Sequence, residues 1–120
     1  MIPKDIDNPK TLGDKQRLFA YLLGLLIARA YKNGYALSMG DVFDADGDGG
    51  HMKNSVHDLK LAADLNLFSR VNGKWVYHTS AEAHAGLGAY WKSLHPLCRW
   101  GGDFASKDGN HYSLTHGGRA

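Results

Sequence analysis

The segment Ala62-Ala63-Asp64-Leu65-Asn66-Leu67-Phe68 constrains the fold more than any other part of the chain. Side chains of a strand alternate between its faces, so a period of two sets Asp64 and Asn66 on one face and Ala63, Leu65 and Leu67 on the other. Such a strand must bury its apolar face, yet it carries a carboxylate inside the apolar run. A buried carboxylate without a counter-charge costs several kcal/mol, of the order that a metal ion or a well-made ion pair returns. A divalent cation is one solution.

The elements around this strand follow from periodicity and punctuation. Apolar residues recur at helical spacing through Leu18, Tyr21, Leu22, Leu25 and Leu26, which predicts a helix over residues 14–33 stopped by Asn33-Gly34. Thr11, three residues before Asp14, is a capping-box signal that would start it earlier. Residues 35–43 read as a strand and the acidic, glycine-rich residues 44–50 as a loop. After the central strand, Val71-Asn72-Gly73-Lys74 carries the Asn-Gly pair of a tight hairpin returning through Trp75, Val76 and Tyr77. Thr79 with Glu82 predicts the cap of a second helix, which runs through Leu87, Tyr90, Trp91 and Leu94 until His95-Pro96. A short strand near Arg99 and Trp100, a glycine-rich loop and a last strand over residues 111–115 complete an α+β pattern. One domain over residues 1–120, with residues 1–10 as an N-terminal extension, is expected.

Composition excludes several roles. A net charge of +2 with scattered basic residues gives no footprint for nucleic acid. The first ten residues lack the apolar core and cleavage site of a secretory signal. The apolar run from Leu18 to Ala28 is too short to span a bilayer, so stable membrane insertion is not expected. Cys98 is the single cysteine; it forbids an internal disulfide, fits a reducing compartment and reads as buried packing.

Chemistry-bearing residues cluster in two stretches. In the first, His57 precedes Asp64 by seven positions, and the chain must turn between them for both to reach one ion, because an odd separation opposes them on a straight strand. Alone, this pair also fits a surface histidine and a capped aspartate. The second stretch holds Trp100-Gly101-Gly102-Asp103-Phe104 and Asp108-Gly109-Asn110-His111. Asp108-Gly109-Asn110 alone also suits a plain turn. His116 points away from His111 on a continuous strand, and His78, His84 and His95 take surface or helix-end roles by default.

The ordered set Ser55-x-His57-x6-Asp64-Leu65-Asn66-Leu67-Phe68, a hairpin, a helix with Tyr90-Trp91, Trp-Gly-Gly-Asp-Phe and Asp108-x-x-His111 resembles the D-Ala-D-Ala carboxypeptidase/L-Ala-D-Glu endopeptidase family, small phage endolysins above all. The likeness runs from about Leu18 to His116. It implies the fold of the bacterial DD-metallopeptidases and the hedgehog signalling domain, an antiparallel sheet with flanking helices. It further implies Zn²⁺ held by His57, Asp64 and His111, with Asp108 as general base and Asp103 in reserve. Two nitrogens and one carboxylate leave a fourth position for water, whose pKa zinc lowers from about 15.7 to roughly 7. The implied activity is hydrolysis of a peptidoglycan stem peptide, foremost L-Ala-D-Glu, by a monomer. D-Ala-D-Ala carboxypeptidase action and a non-catalytic wall-binding or virion module are the alternatives. The phage resemblance implies synthesis in the bacterial cytoplasm and release to the wall through a separate pore-former.

The sequence departs from the family in one place. An arginine is usual shortly before the histidine motif, where it binds substrate; Asp44 stands near that position, so either Lys53 or His51 supplies the donor or the step is handled differently. In the same loop Asp44, Asp46 and Asp48 match the first half of a calcium loop, so Ca²⁺ is a second candidate ion, but Ser55 replaces the twelfth-position glutamate.

Overall fold

The computed structural model describes residues 2–40, 56 and 59–120. Its elements, in chain order, are α1 (Lys4–Asp7), α2 (Leu12–Lys32), β1 (Tyr35–Met39), β2 (Ala62–Val71), β3 (Lys74–His78), α3 (Ala81–Leu94), β4 (Cys98–Trp100), a 3-10 turn (Gly101–Asp103) and β5 (His111–Leu114). The strands form one antiparallel sheet, ordered β1-β2-β5-β4, with β3 also paired to β2. The α+β expectation of an antiparallel sheet with flanking helices therefore holds.

β2 organises the sheet because it is long enough to serve three partners. Its first residues pair with β5, its middle with β1 and its outer half with β3. Burial follows the predicted period: Ala63, Leu65 and Leu67 are fully buried, whereas Asp64 and Asn66 are only partly so. At the hairpin tip Asn72 and Gly73 take φ of 53° and 78°, the double positive-φ turn that matches strand twist and that Asn-Gly tolerates best.

The buried residues of β2 share one core with those of α2 and α3. Leu18, Leu22, Leu26 and Ala30 recur every four residues along one stripe of α2, and all four are fully buried. Each such leucine contributes about 1.5–3 kcal/mol of transfer free energy. The α2 capping box forms as expected: Thr11 Oγ1 accepts from Asp14 N at 3.1 Å, and Thr11 N donates to the Asp14 carboxylate at 3.2 Å. Trp91 of α3 meets Phe19 edge-on at 5.8 Å and donates its indole N–H to the carbonyls of Arg99 and Ser113, which ties helix to sheet.

Two expectations need correction. The cap of α3 is Ser80 rather than Thr79; Ser80 holds the extended backbone of a cap (φ −77°, ψ 149°), and its Oγ accepts from Ala83 N at 3.1 Å. His84 is not a surface residue. It is 1% exposed and bonds through Nδ1 to the Tyr112 hydroxyl at 2.8 Å, because its face of α3 docks on β5. By contrast His95 keeps its helix-end role, reaching the Asp7 carbonyl at 2.9 Å, and Cys98 is buried as expected, with burial pushing its thiol up to about 12. The strand expected over residues 35–43 ends at Met39, and residues 41–43 lie outside the described ones.

Candidate metal centre

Asp64 and His111 are directly opposite each other on β2 and β5. The ladder bonds flank this pair: Leu65 N donates to Asn110 O at 2.9 Å, while His111 N turns away to Asp108 O at 3.1 Å. That is the rung of an antiparallel ladder where side chains come closest, with Cα atoms about 4.5 Å apart. His111 Nδ1 and Asp64 Oδ1 accordingly lie 3.4 Å apart. Gly40 N fastens the other edge of β2 here by donating to the Asp64 carbonyl at 2.7 Å.

The third member comes from the loop before β5. Asp108 N donates to Gly101 O at 2.9 Å, so the loop folds back on the 3-10 turn. The Trp100 indole donates to Gly109 O at 2.7 Å and fixes the next peptide. Gly88 and Gly102 both lie against this indole so closely that a Cβ on either would overlap it. Gly101 is as tight: a Cβ there would overlap the Asp108 carbonyl oxygen and lie 2.8 Å from His111 Cβ. The Trp-Gly-Gly stretch thus works as a clamp that delivers Asp108 and His111 to one place.

Asp64, Asp108 and His111 offer donor atoms that all lie within 4.8 Å of one another. Bonds of about 2.0–2.2 Å place two donors of one zinc ion at most about 4.4 Å apart, so small side-chain rotations close this set on a divalent cation. The mixture of carboxylate oxygen and imidazole nitrogen also suits such an ion. Asp64 Oδ1 and His111 Nε2 are shut off from solvent, whereas Asp108 is exposed. One side of the group is therefore sheltered and the other open to a ligand.

Of the predicted site residues, the structure brings together Asp64, His111 and Asp108. His57, His51, Lys53, Asp44, Asp46 and Asp48 lie outside the described residues. Ahead of Asp64, Leu59 N and Leu61 N both donate to Val56 O, and Lys60 adopts φ 59°. Asp103 stands apart, exposed and paired with Lys92 at 2.8 Å. His116 is likewise elsewhere, with Nδ1 3.0 Å from Lys15 Nζ.

Sequence reasoning missed the support behind β5. His84 forms a buried pair with Tyr112, the residue that follows His111 in the chain. Burial, aided by the charge of His78, lowers His84 from 6.5 to about 4, and burial alone pushes the Tyr112 phenol well above its usual range. Helical period in α3 was the signal that could have found it, since His84 stands three and seven residues before Leu87 and Trp91, on the stripe the helix buries.

No helix among the described residues is long and apolar enough to cross a membrane. No curated protein matches the chain. The family model described as D-alanyl-D-alanine carboxypeptidase matches residues 49–114, more than half of the chain, and takes in all three members of the metal-competent group. The chain belongs to this D-alanyl-D-alanine carboxypeptidase family of metallopeptidases, which act on peptidoglycan.

Proposed function

We propose that the protein is a zinc-dependent hydrolase of peptidoglycan stem peptides, of the endolysin kind, cutting foremost the L-Ala-D-Glu bond. The observation that carries this reading is the convergence of Asp64, Asp108 and His111 within a segment matched by a peptidase family. His57, Asp64 and His111 would hold the ion. When bound, zinc supplies a Lewis acid for the scissile carbonyl and makes a water acidic enough to attack near neutral pH.

The chain's own residues then divide the work. Asp64 and His111 sit on a paired rung of the sheet, which fixes their separation. Asp108, exposed at the open side, accepts the proton released as water adds to the carbonyl carbon, and passes it to the amide nitrogen as the C–N bond breaks. The products are a carboxylate and an amine. Lys53 and His51 are the proposed donors to the substrate, in place of the usual arginine. Calcium at Asp44, Asp46 and Asp48 would act on the loop that carries them.

Removal of a terminal D-Ala is the second reading, favoured by the description of the matching family model. The two reactions share their machinery and differ in which peptide lies across the site. Purified peptidoglycan treated with metal-loaded wild type, Asp108→Ala and chelated protein provides the test, with mass spectrometry of the released peptides to name the bond. Release by wild type alone is expected. A metal-loaded wild type that releases nothing would leave a non-catalytic wall-binding or virion module.

A further inference from the structure

The face of β2 that carries Asp64 continues outward, by the period of two, through Asn66 and Phe68 to Arg70. β3 adds Tyr77 opposite Phe68 and Trp75 opposite Arg70, so both aromatic rings stand on that same face. They are unusually open for their size: Trp75 is 52% and Tyr77 53% exposed. They are also held in place. Tyr77 stacks on Phe68 with ring centres 5.2 Å apart, its hydroxyl reaches Asn66 Oδ1 at 3.4 Å, and the Arg70 guanidinium lies 4.7 Å from the Trp75 ring centre. Exposed, ordered aromatic rings rimmed by hydrogen-bonding groups mark a binding surface.

We propose that this hairpin face is a glycan subsite that holds the amino-sugar strand of peptidoglycan beside the metal centre. The inference rests on the peptidoglycan reading above. Its warrant is continuity and chemistry. Tyr77 is level with Phe68, four residues from Asp64, and Trp75 is level with Arg70, six residues away; at about 3.3 Å per residue these are roughly 13 and 20 Å from the metal-competent group. The stem peptide is joined covalently to the sugar strand, so an amide held at Asp64 carries a glycan within a few residues' reach. Stem-peptide residues are small or ionic and offer no flat apolar face. A pyranose does: its axial C–H bonds lie against the negative face of an aromatic ring, while its hydroxyl and N-acetyl groups reach side-chain amide and guanidinium groups such as those of Asn66 and Arg70.

The test compares metal-loaded wild type with Trp75→Ala and Tyr77→Ala on two substrates: disaccharide-bearing stem peptide, and the same stem peptide freed of sugar. Each variant is expected to lose about tenfold in kcat/KM, through KM, on the sugar-bearing substrate only. Equal losses on both substrates, or none on either, would overturn the proposal. A second arm needs no catalysis. Among the three tryptophans Trp91 and Trp100 are buried, so titration with an oligomer of β-1,4-linked N-acetylglucosamine should change the fluorescence of Trp75. The change should saturate in wild type and weaken about tenfold in Tyr77→Ala. No change in wild type, or a hairpin face that instead joins two copies in sedimentation, refutes the subsite. Sugar binding without cleavage of either substrate would sink the hydrolase reading and uphold the subsite.

Discussion

Gly101→Ala isolates the clamp that delivers Asp108 and His111. The added methyl would overlap the Asp108 carbonyl oxygen and sit 2.8 Å from His111 Cβ. Neither neighbour is the end of a flexible side chain, and the Gly101 carbonyl itself accepts from Asp108 N and Phe104 N. The loop must therefore withdraw by roughly 1 Å, because close-packed interiors offer no void to take a methyl. Overpacking of this kind costs about 1–3 kcal/mol. A displacement of about 1 Å at reacting groups costs on the order of 100-fold in rate. The expected variant folds, with its core of α2, β2 and α3 intact, melts lower, binds metal more weakly and cleaves stem peptide about 100-fold more slowly. Gly24→Ala and Gly86→Ala are the controls, since a Cβ at either helical position meets nothing within 4 Å; each should gain up to about 1 kcal/mol in stability. Thermal melts, metal titration and peptide release provide the readouts. Wild-type metal affinity and rate in Gly101→Ala would refute the clamp, and with it the placement of Asp108 at the centre.

Zinc at about 100 times its dissociation constant should stabilise the protein by about 2.7 kcal/mol, roughly 10 °C in Tm, and Asp64→Asn or His111→Ala should erase that increment; an unchanged increment in both variants would remove these residues from the metal set. His84, lowered from 6.5 to about 4, remains neutral in the folded protein where the unfolded chain takes up a proton, so its contribution is complete above pH 6.5 and declines as pH falls towards 4. Urea unfolding of wild type against His84→Gln should reveal a loss of up to about 3 kcal/mol across that window, and parallel pH profiles would contradict it. Ser113 is fully buried and its hydroxyl has no hydrogen-bond partner among the described residues; Ser113→Ala should be neutral or stabilising by up to about 1 kcal/mol, and a loss above that would point to a hidden partner.

What could be read from the sequence was local. The alternation around Asp64, the Asn72-Gly73 turn and the Thr11-Asp14 box each depend on residues a few positions apart, and all three appear as expected. The pairing of Asp64 with His111 depends on the register between β2 and β5, which spacing does not encode; there the resemblance, not periodicity, named His111. His84 is a different case: its spacing to Leu87 and Trp91 sets it on the stripe that α3 buries, and what the sequence does not show is the Tyr112 hydroxyl that receives it there. The cap falls on Ser80 instead of Thr79 because the helix begins at Ala81, a difference of one position that composition does not resolve. The hairpin was legible as a hairpin, but its aromatic face gained meaning only once β2 ran continuously from Asp64 to Arg70.

The site separates rigidity from exposure in a way that suits its proposed chemistry. Asp64 and His111 are locked by ladder bonds on both edges of β2, through Leu65 and Asn110 on one and Gly40 on the other. Ion coordination requires donors at fixed separation, and a sheet rung provides it. Asp108 is anchored differently. Its backbone N–H and carbonyl are used by Gly101 and His111, which fixes where its Cα sits, while its exposed side chain faces the ligand side. A proton carrier must approach water, substrate nitrogen and solvent in turn, and that demands reach more than rigidity. Asp108 therefore suits proton transfer better than structural coordination, although its carboxylate lies within ligand distance of the other two. On this division, Asp108→Asn should keep most of the zinc-induced rise in Tm and lose turnover, whereas Asp64→Asn should lose both. If Asp108→Asn erased the thermal increment as well, Asp108 would be a ligand, and the base would have to be sought elsewhere.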